Sequence, residues 1–140
     1  MQTRRQESET APTRVSSSAV APLAGRRVLV IEDEALVALD LEMTLEAAGA
    51  VTVGPFLRLR DALPAAASAP ADAAVLDVML GRDESYALAD RLRERGVAVV
   101  FHTGQASPER LRARYPGAGV CPKPCTPATI IRTIVETIGG

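Results

Sequence analysis

Four short segments end in residues that could handle a phosphoryl group: Glu32-Asp33 after an apolar run, Asp77 after a second, Thr103 after a third and Lys123 after a fourth. Three carboxylates brought to one rim repel one another, and the arrangement becomes favourable when a hard, oxygen-seeking divalent cation sits among them; Mg2+ suits the set. A cation among carboxylates, with a lysine and a hydroxyl beside it, meets the demands of phosphoryl transfer: neutralised equatorial oxygens and an in-line nucleophile. Asp77 is the candidate nucleophile, because a carboxylate can form an aspartyl phosphate. Thr103 would hydrogen-bond the bound phosphoryl group and Lys123 would pair with it. Taken singly, each residue has a plain structural reading as a helix cap, a strand end or a solvated lysine. Four consecutive segment ends with complementary chemistry argue for a site.

Such convergence needs a sheet whose strands all point their carboxyl ends the same way. Short apolar runs alternate here with helical patterns, as a parallel sheet with crossover helices reads in sequence. The first strand is expected over Arg27 to Ile31, a continuous apolar run suited to a strand covered on both faces. A helix follows over Ala35 to Ala48, with Val37, Leu41, Leu45 and Ala48 on one face and Gly49 as its stop. Strand two is expected over Ala50 to Val53, ended by Gly54-Pro55, and helix two from Leu59 to Ser68, before Pro70. Strand three covers Ala73 to Leu76, helix three Ser85 to Arg95 and strand four Val97 to His102. Ser107-Pro108 and Thr126-Pro127 each read as a helix start, with the hydroxyl as cap and Pro in the first turn. Strand five lies near Gly119 to Pro122, and Ile130, Ile131, Ile134, Val135 and Ile138 make the apolar stripe of the last helix. Five βα units predict a doubly wound α/β fold, in which ligands bind beyond the carboxyl ends of the strands.

The 140 residues suit one domain, with 47% hydrophobic and 24% charged residues. Residues 1–25 are rich in Ser, Thr, Pro and charge and lack a sustained period, so they are expected to be a disordered tail preceding a domain over 26–140. Ser16-Ser17-Ser18 beside Arg14 reads as plain linker. Sixteen basic and 17 acidic residues give a net charge of −1, which offers no excess for nucleic acid or an anionic membrane, so another protein is the expected partner. Cys121 and Cys125 have neither redox-motif nor zinc spacing, and a single His makes a structural metal site improbable. With no bilayer-length apolar run and no signal-peptide core, a cytoplasmic location is expected.

The segments VLVIEDE, AVLDVML, VVFHTG and CPKP, in this order and at these separations, resemble the receiver domain of two-component response regulators over residues 27–138. The resemblance implies a flavodoxin-like (βα)5 sandwich with sheet order 2-1-3-4-5. It implies a phosphoryl group drawn from a histidine kinase or histidine phosphotransfer protein onto Asp77. Asp33 and Asp77 would ligate Mg2+ directly, Glu32 largely through water, and the backbone carbonyl of Met79 would complete the protein ligands. Thr103, Lys123 and the backbone N–H groups of Val78 and Gly104 would hold the phosphoryl group, and the Lys123-Pro124 bond is expected to be cis. Such a domain is not an enzyme acting on an outside substrate but a phosphoacceptor that assists its own phosphorylation and dephosphorylation. Its downstream protein would bind on the face formed by helix four, strand five and helix five.

Ser85-Tyr86, Phe101-His102-Thr103-Gly104 and Pro122-Lys123-Pro124 further resemble a subgroup of alphaproteobacterial single-domain regulators with Phe-Ala-Thr-Gly after strand four. His102 replaces the Ala, and alternation along the strand directs it away from the site. Tyr86, Phe101 and Cys125 read as packing residues. Val120 stands where receivers that drive transcription factors usually carry Tyr or Phe, so the ring-rotation switch is not expected; a route through the loop Gly104 to Pro108 is. Since Gly139-Gly140 follows the last helix, a stand-alone receiver is expected, acting by phosphorylation-dependent contact or phosphoryl shuttling. Three rivals are weaker. A Mg-dependent phosphohydrolase wants a second Asp at 79, where Met stands; a nucleotide- or flavin-binding domain wants a Gly-rich loop where Glu32-Asp33-Glu34 stands; and a phosphorylation-independent interaction module need not keep all the site residues.

Overall fold

The computed structural model describes residues 21–140; the triple serine and residues 1–20 of the expected tail lie outside them. Five parallel strands make the main sheet: β1 (Arg27–Ile31), β2 (Val51–Phe56), β3 (Ala73–Leu76), β6 (Ala98–Thr103) and β7 (Gly119–Pro122). Their spatial order is β2-β1-β3-β6-β7. Between β3 and the next helix a two-stranded antiparallel hairpin, β4 (Met79–Leu80) and β5 (Asp83–Glu84), is inserted. The helices are α1 (Ala35–Ala47), α2 (Leu59–Ser68), α3 (Tyr86–Glu94), α4 (Pro108–Arg114) and α5 (Pro127–Gly139). This is the flavodoxin-like doubly wound fold.

Alternation along the strands divides the core in two. Val28, Val30, Ala73, Val75 and Val100 pack with Leu41 and Leu45 of α1 and Ile130 and Ile134 of α5. Leu29, Ile31, Ala74, Leu76, Val99 and Phe101 pack with residues of α2, α3 and α4. The sheet order reverses direction between β1 and β3, and an open crevice forms at such a point beyond the carboxyl ends of the two strands. Glu32, Asp33 and Asp77 stand there. The predicted caps hold: Ser107 Oγ accepts from the Arg110 amide at 3.4 Å and Thr126 Oγ1 from the Thr129 amide at 3.2 Å.

Two expectations need correction, and one element lies outside them. Leu23 is buried, and its amide donates to the Ala48 carbonyl at 2.9 Å, so residues 21–25 belong to the folded body rather than to a tail ending at 25. Burying one leucine is worth roughly 2 kcal/mol, and with the Gly25 amide donating to the Gly49 carbonyl at 3.1 Å it helps offset the cost of ordering this short segment. Strand β2 does not stop at Gly54-Pro55. It bulges there, with Leu29 opposite Val53 and Ile31 opposite Phe56, and the Gly54-Pro55 bond is cis. Gly54 takes φ +100, and a Cβ would lie 2.9 Å from the Phe56 nitrogen and 3.0 Å from the Val30 oxygen, so this corner admits only glycine. β2 is an edge strand, where Pro costs no ladder bond. The hairpin β4–β5 was not expected, because Gly81-Arg82-Asp83-Glu84 is polar and shows no alternation.

Candidate functional site

Buried strands fix the main chain up to the rim: Glu32, Asp77 and Lys123 are the first residues beyond β1, β3 and β7, and Thr103 is the last residue of β6. The Phe56 carbonyl, brought opposite Ile31 by the bulge, accepts the Glu32 amide at 3.0 Å. Glu32 is almost wholly buried and its Oε2 accepts from the Glu34 amide at 3.2 Å. Asp33 is exposed, and its Oδ2 accepts from the Gly81 amide at the hairpin turn, 2.9 Å. Asp77 is buried at the end of β3; its Oδ1 accepts from the Met79 amide at 3.4 Å. One oxygen from each of Glu32, Asp33 and Asp77 lies within 4.8 Å of the others.

Lys123 reaches into this group. Its Nζ is 2.9 Å from Glu32 Oε1, 2.9 Å from Asp77 Oδ2 and 3.6 Å from Glu34 Oε1. Partial burial pulls the ammonium pKa down, but pairing with Glu32 and Asp77 outweighs it and holds Lys123 well above the ordinary lysine range. Glu32 is shifted the other way: burial raises its pKa, and the contacts with Lys123 and the Glu34 amide only partly oppose this. A cleft of about 240 Å3 opens onto the cluster, lined by Asp33, Glu34, Asp77, Met79, Gly104 and Lys123 among others.

The donor set is all oxygen and tightly spaced, which fits a hard cation of Mg2+ type and not one that prefers sulfur or imidazole. Lys123 now supplies the positive charge the carboxylates need. Met79 and Gly104 are among the residues that line the cleft. Val78 turns its side chain into the core.

Thr103 is less direct. It is buried, does not line the cleft, and its Oγ1 accepts from the Gln105 amide at 3.3 Å. Because Oγ1 accepts in that bond, its hydroxyl proton stays free to donate, and what separates it from a phosphoryl group is the loop from Gly104, which has to move.

His102 is buried on the other strand face, the one Val100 shares, and its Nδ1 has no partner among the described residues. Burial lowers its pKa, reinforced by Lys123 and opposed by Asp77 and Asp40. Val120 packs in the core with Leu111, Tyr115 and Phe101. The rings of Phe101 and Tyr115 lie 5.2 Å apart, and Tyr86 stacks on Tyr115 at 6.2 Å, so Tyr86 and Phe101 are packing residues as expected. Cys121 and Cys125 are free thiols; burial pushes Cys125 up to about 12. The Lys123-Pro124 bond is cis. Glu34 and Ser85 belong to the site's surroundings and were not singled out in the sequence for a role there; a Ser opening a helix ordinarily reads as a cap.

No protein-family model matches the chain, and no curated protein does. Solved structures do. The chain is similar to the response regulator PhyR from Brucella abortus, with 24% identity and a TM-score of 0.72 over 89% of this chain and 52% of that one. It is similar to a response regulator receiver protein from Sinorhizobium medicae WSM419, with 24% identity and a TM-score of 0.74 over 83% and 96%. It is also similar to the signal receiver domain of a modulated diguanylate cyclase from Desulfovibrio desulfuricans G20, with 29% identity and a TM-score of 0.71 over 82% and 94%. The chain thus spans about half the length of the PhyR structure and nearly the whole of the other two. Its structural neighbours are response regulator receiver domains. No helix among the described residues is long and apolar enough to cross a membrane.

Proposed function

We propose that the chain is a response regulator receiver that accepts a phosphoryl group on Asp77. The observation that carries the reading is the meeting of Glu32, Asp33 and Asp77 within 4.8 Å, with Lys123 at 2.9 Å from both Glu32 and Asp77. Bound among Glu32, Asp33, Asp77 and the Met79 carbonyl, Mg2+ would screen the carboxylates and the phosphoryl oxygens. Asp77 donates an oxygen lone pair to phosphorus while the donor's N–P bond breaks, and the departing imidazole keeps the electron pair and takes a proton from solvent. Lys123 then trades its contact with the Asp77 carboxylate for one with a phosphoryl oxygen. Thr103 follows by donating its hydroxyl proton to a phosphoryl oxygen. The amides of Val78 and Gly104 complete the cradle.

The donor is a phosphohistidine on a histidine kinase or phosphotransfer protein. The output is a phosphorylation-dependent protein contact on the α4–β7–α5 face, or onward shuttling of the group, in the cytoplasm. With Val120 packed against Leu111 and Tyr115, the loop from Gly104 to Pro108 carries the switch. The segments around Ser85-Tyr86 and Phe101 to Gly104 support placing the chain beside the alphaproteobacterial single-domain regulators.

Incubation with acetyl phosphate and Mg2+, read by intact mass, tests the reading: wild-type protein gains one phosphoryl group, and Asp77→Asn does not. Equal labelling of both proteins would refute it.

A further inference from the structure

A buried hydroxyl must find a partner, and the one Ser85 has chosen is unusual for its position. Ser85 stands at the N-cap of α3 and is fully buried, yet its side chain caps no helix amide. Its Oγ–H donates to the main-chain carbonyl of Asp77 at 2.5 Å, eight residues back. Its own amide donates to the carbonyl of Val78 at 2.8 Å. One residue therefore fastens two consecutive carbonyls, those on the outgoing side of Asp77 and of its neighbour.

The chain between is the hairpin β4–β5, with Met79 opposite Glu84 and Leu80 opposite Asp83. Its turn is fixed too, through the Gly81 amide on Asp33 Oδ2. On the incoming side Asp77 is held more loosely, its amide lying 3.3 Å from the Ile31 carbonyl, at the long end for such a bond. The direction in which the Asp77 carboxylate leaves the main chain thus depends on the outgoing carbonyl, and Ser85 is what holds that carbonyl.

We propose that Ser85 is a positioning residue for phosphoryl transfer at Asp77: its buried hydroxyl locks the Asp77 carbonyl and so aims the carboxylate at the incoming phosphorus. The role rests on reading Asp77 as the phosphoacceptor. Ser85 touches no reacting atom. Its contribution is orientation, and small misplacements of a nucleophile cost large factors in rate.

The test uses the full chain as wild type, Ser85→Ala, Ser85→Cys and Ser85→Thr. Acetyl phosphate with Mg2+ is the donor. The rate at saturating donor is expected to fall roughly tenfold in S85A and S85C, with the half-saturating donor concentration unchanged, and to return to within about threefold of wild type in S85T, which keeps the hydroxyl. In the metal-free protein, hydrogen exchange at the Val78 and Met79 amides is expected to quicken in S85A and S85C only. Should S85A fail to fold, the near-isosteric S85C carries the comparison. Folded S85A or S85C labelled at the wild-type rate overturns the role of Ser85 alone. A wild-type chain that takes no label, with exchange still quickened in S85A, instead overturns the phosphoacceptor reading and the role with it.

Discussion

Lys123 does two jobs with one ammonium. It neutralises a buried Glu32 and a buried Asp77, and under the proposed function it would also turn to a phosphoryl oxygen. Removing it strands the Glu32 carboxylate, whose side chain is 1% exposed. Lys123→Gln is therefore expected to lose about 3 kcal/mol at neutral pH without metal, and to regain part of it when MgCl2 is added, as read by urea denaturation. The sign with pH follows from Glu32. Its folded pKa is raised above the unfolded value of 4.5, so its contribution is favourable below that value and is lost as pH rises through the raised pKa. The loss in Lys123→Gln should accordingly be largest at neutral pH and shrink toward pH 4.5.

His102 works in the opposite sense. Its folded pKa is lowered from 6.5, so the unfolded chain binds the proton more readily; His102 contributes stability above 6.5 that is lost as pH falls through the folded value. His102→Gln should flatten that part of the pH–stability curve, measured by denaturation midpoints from neutral to mildly acidic buffer. At this scale the sequence was most informative where a residue directly follows a buried strand, as Glu32, Asp77 and Lys123 do, because strand direction alone delivers them to the rim. Ser85 and Glu34 were opaque, since their roles depend on how the loops between elements close. Thr103 was half legible: its strand end was evident, the hydrogen bond that engages its hydroxyl was not.

Among the elements, β2 and the segment leading into β1 depart most from expectation. Gly54-Pro55 reads as a stop, but an edge strand can absorb it by bulging, and the bulge supplies the carbonyl that holds the Glu32 amide. Gly54→Ala is expected to cost roughly 1–3 kcal/mol, from a Cβ at 2.9 Å from backbone and from a positive φ. It should also loosen the Glu32 amide, visible as faster hydrogen exchange there. Leu23 sits in a stretch whose composition is that of a linker, and only its burial against Ala48 and the α1 side of the core shows it to be structural. Leu23→Ala should cost roughly 2–5 kcal/mol by denaturation, the range for truncating a buried leucine. The caps at Ser107 and Thr126 were readable because hydroxyl, Pro and helix are adjacent in sequence. The β4–β5 hairpin was not, because two-residue strands carry no period.

For the whole molecule, the alternation of apolar runs and helical patterns determined the architecture, and the sheet order then placed one crevice between the ends of β1 and β3. A fold that gathers three carboxylates at that crevice should be stabilised by any cation it holds there. Mg2+ at about a hundred times its Kd is expected to add close to 2.7 kcal/mol to the folding free energy of the wild type, and Asp33→Asn should lose most of that gain. The central claim is narrower, that Asp77 is a nucleophile toward phosphorus. It is tested most directly by mapping the site of labelling after exposure to acetyl phosphate and Mg2+, using borohydride reduction of the acyl phosphate and peptide sequencing. The account predicts a single modified residue, Asp77, with labelling abolished by Asp77→Asn and by chelation of the metal. Modification at another residue, or none in the wild type, would contradict it.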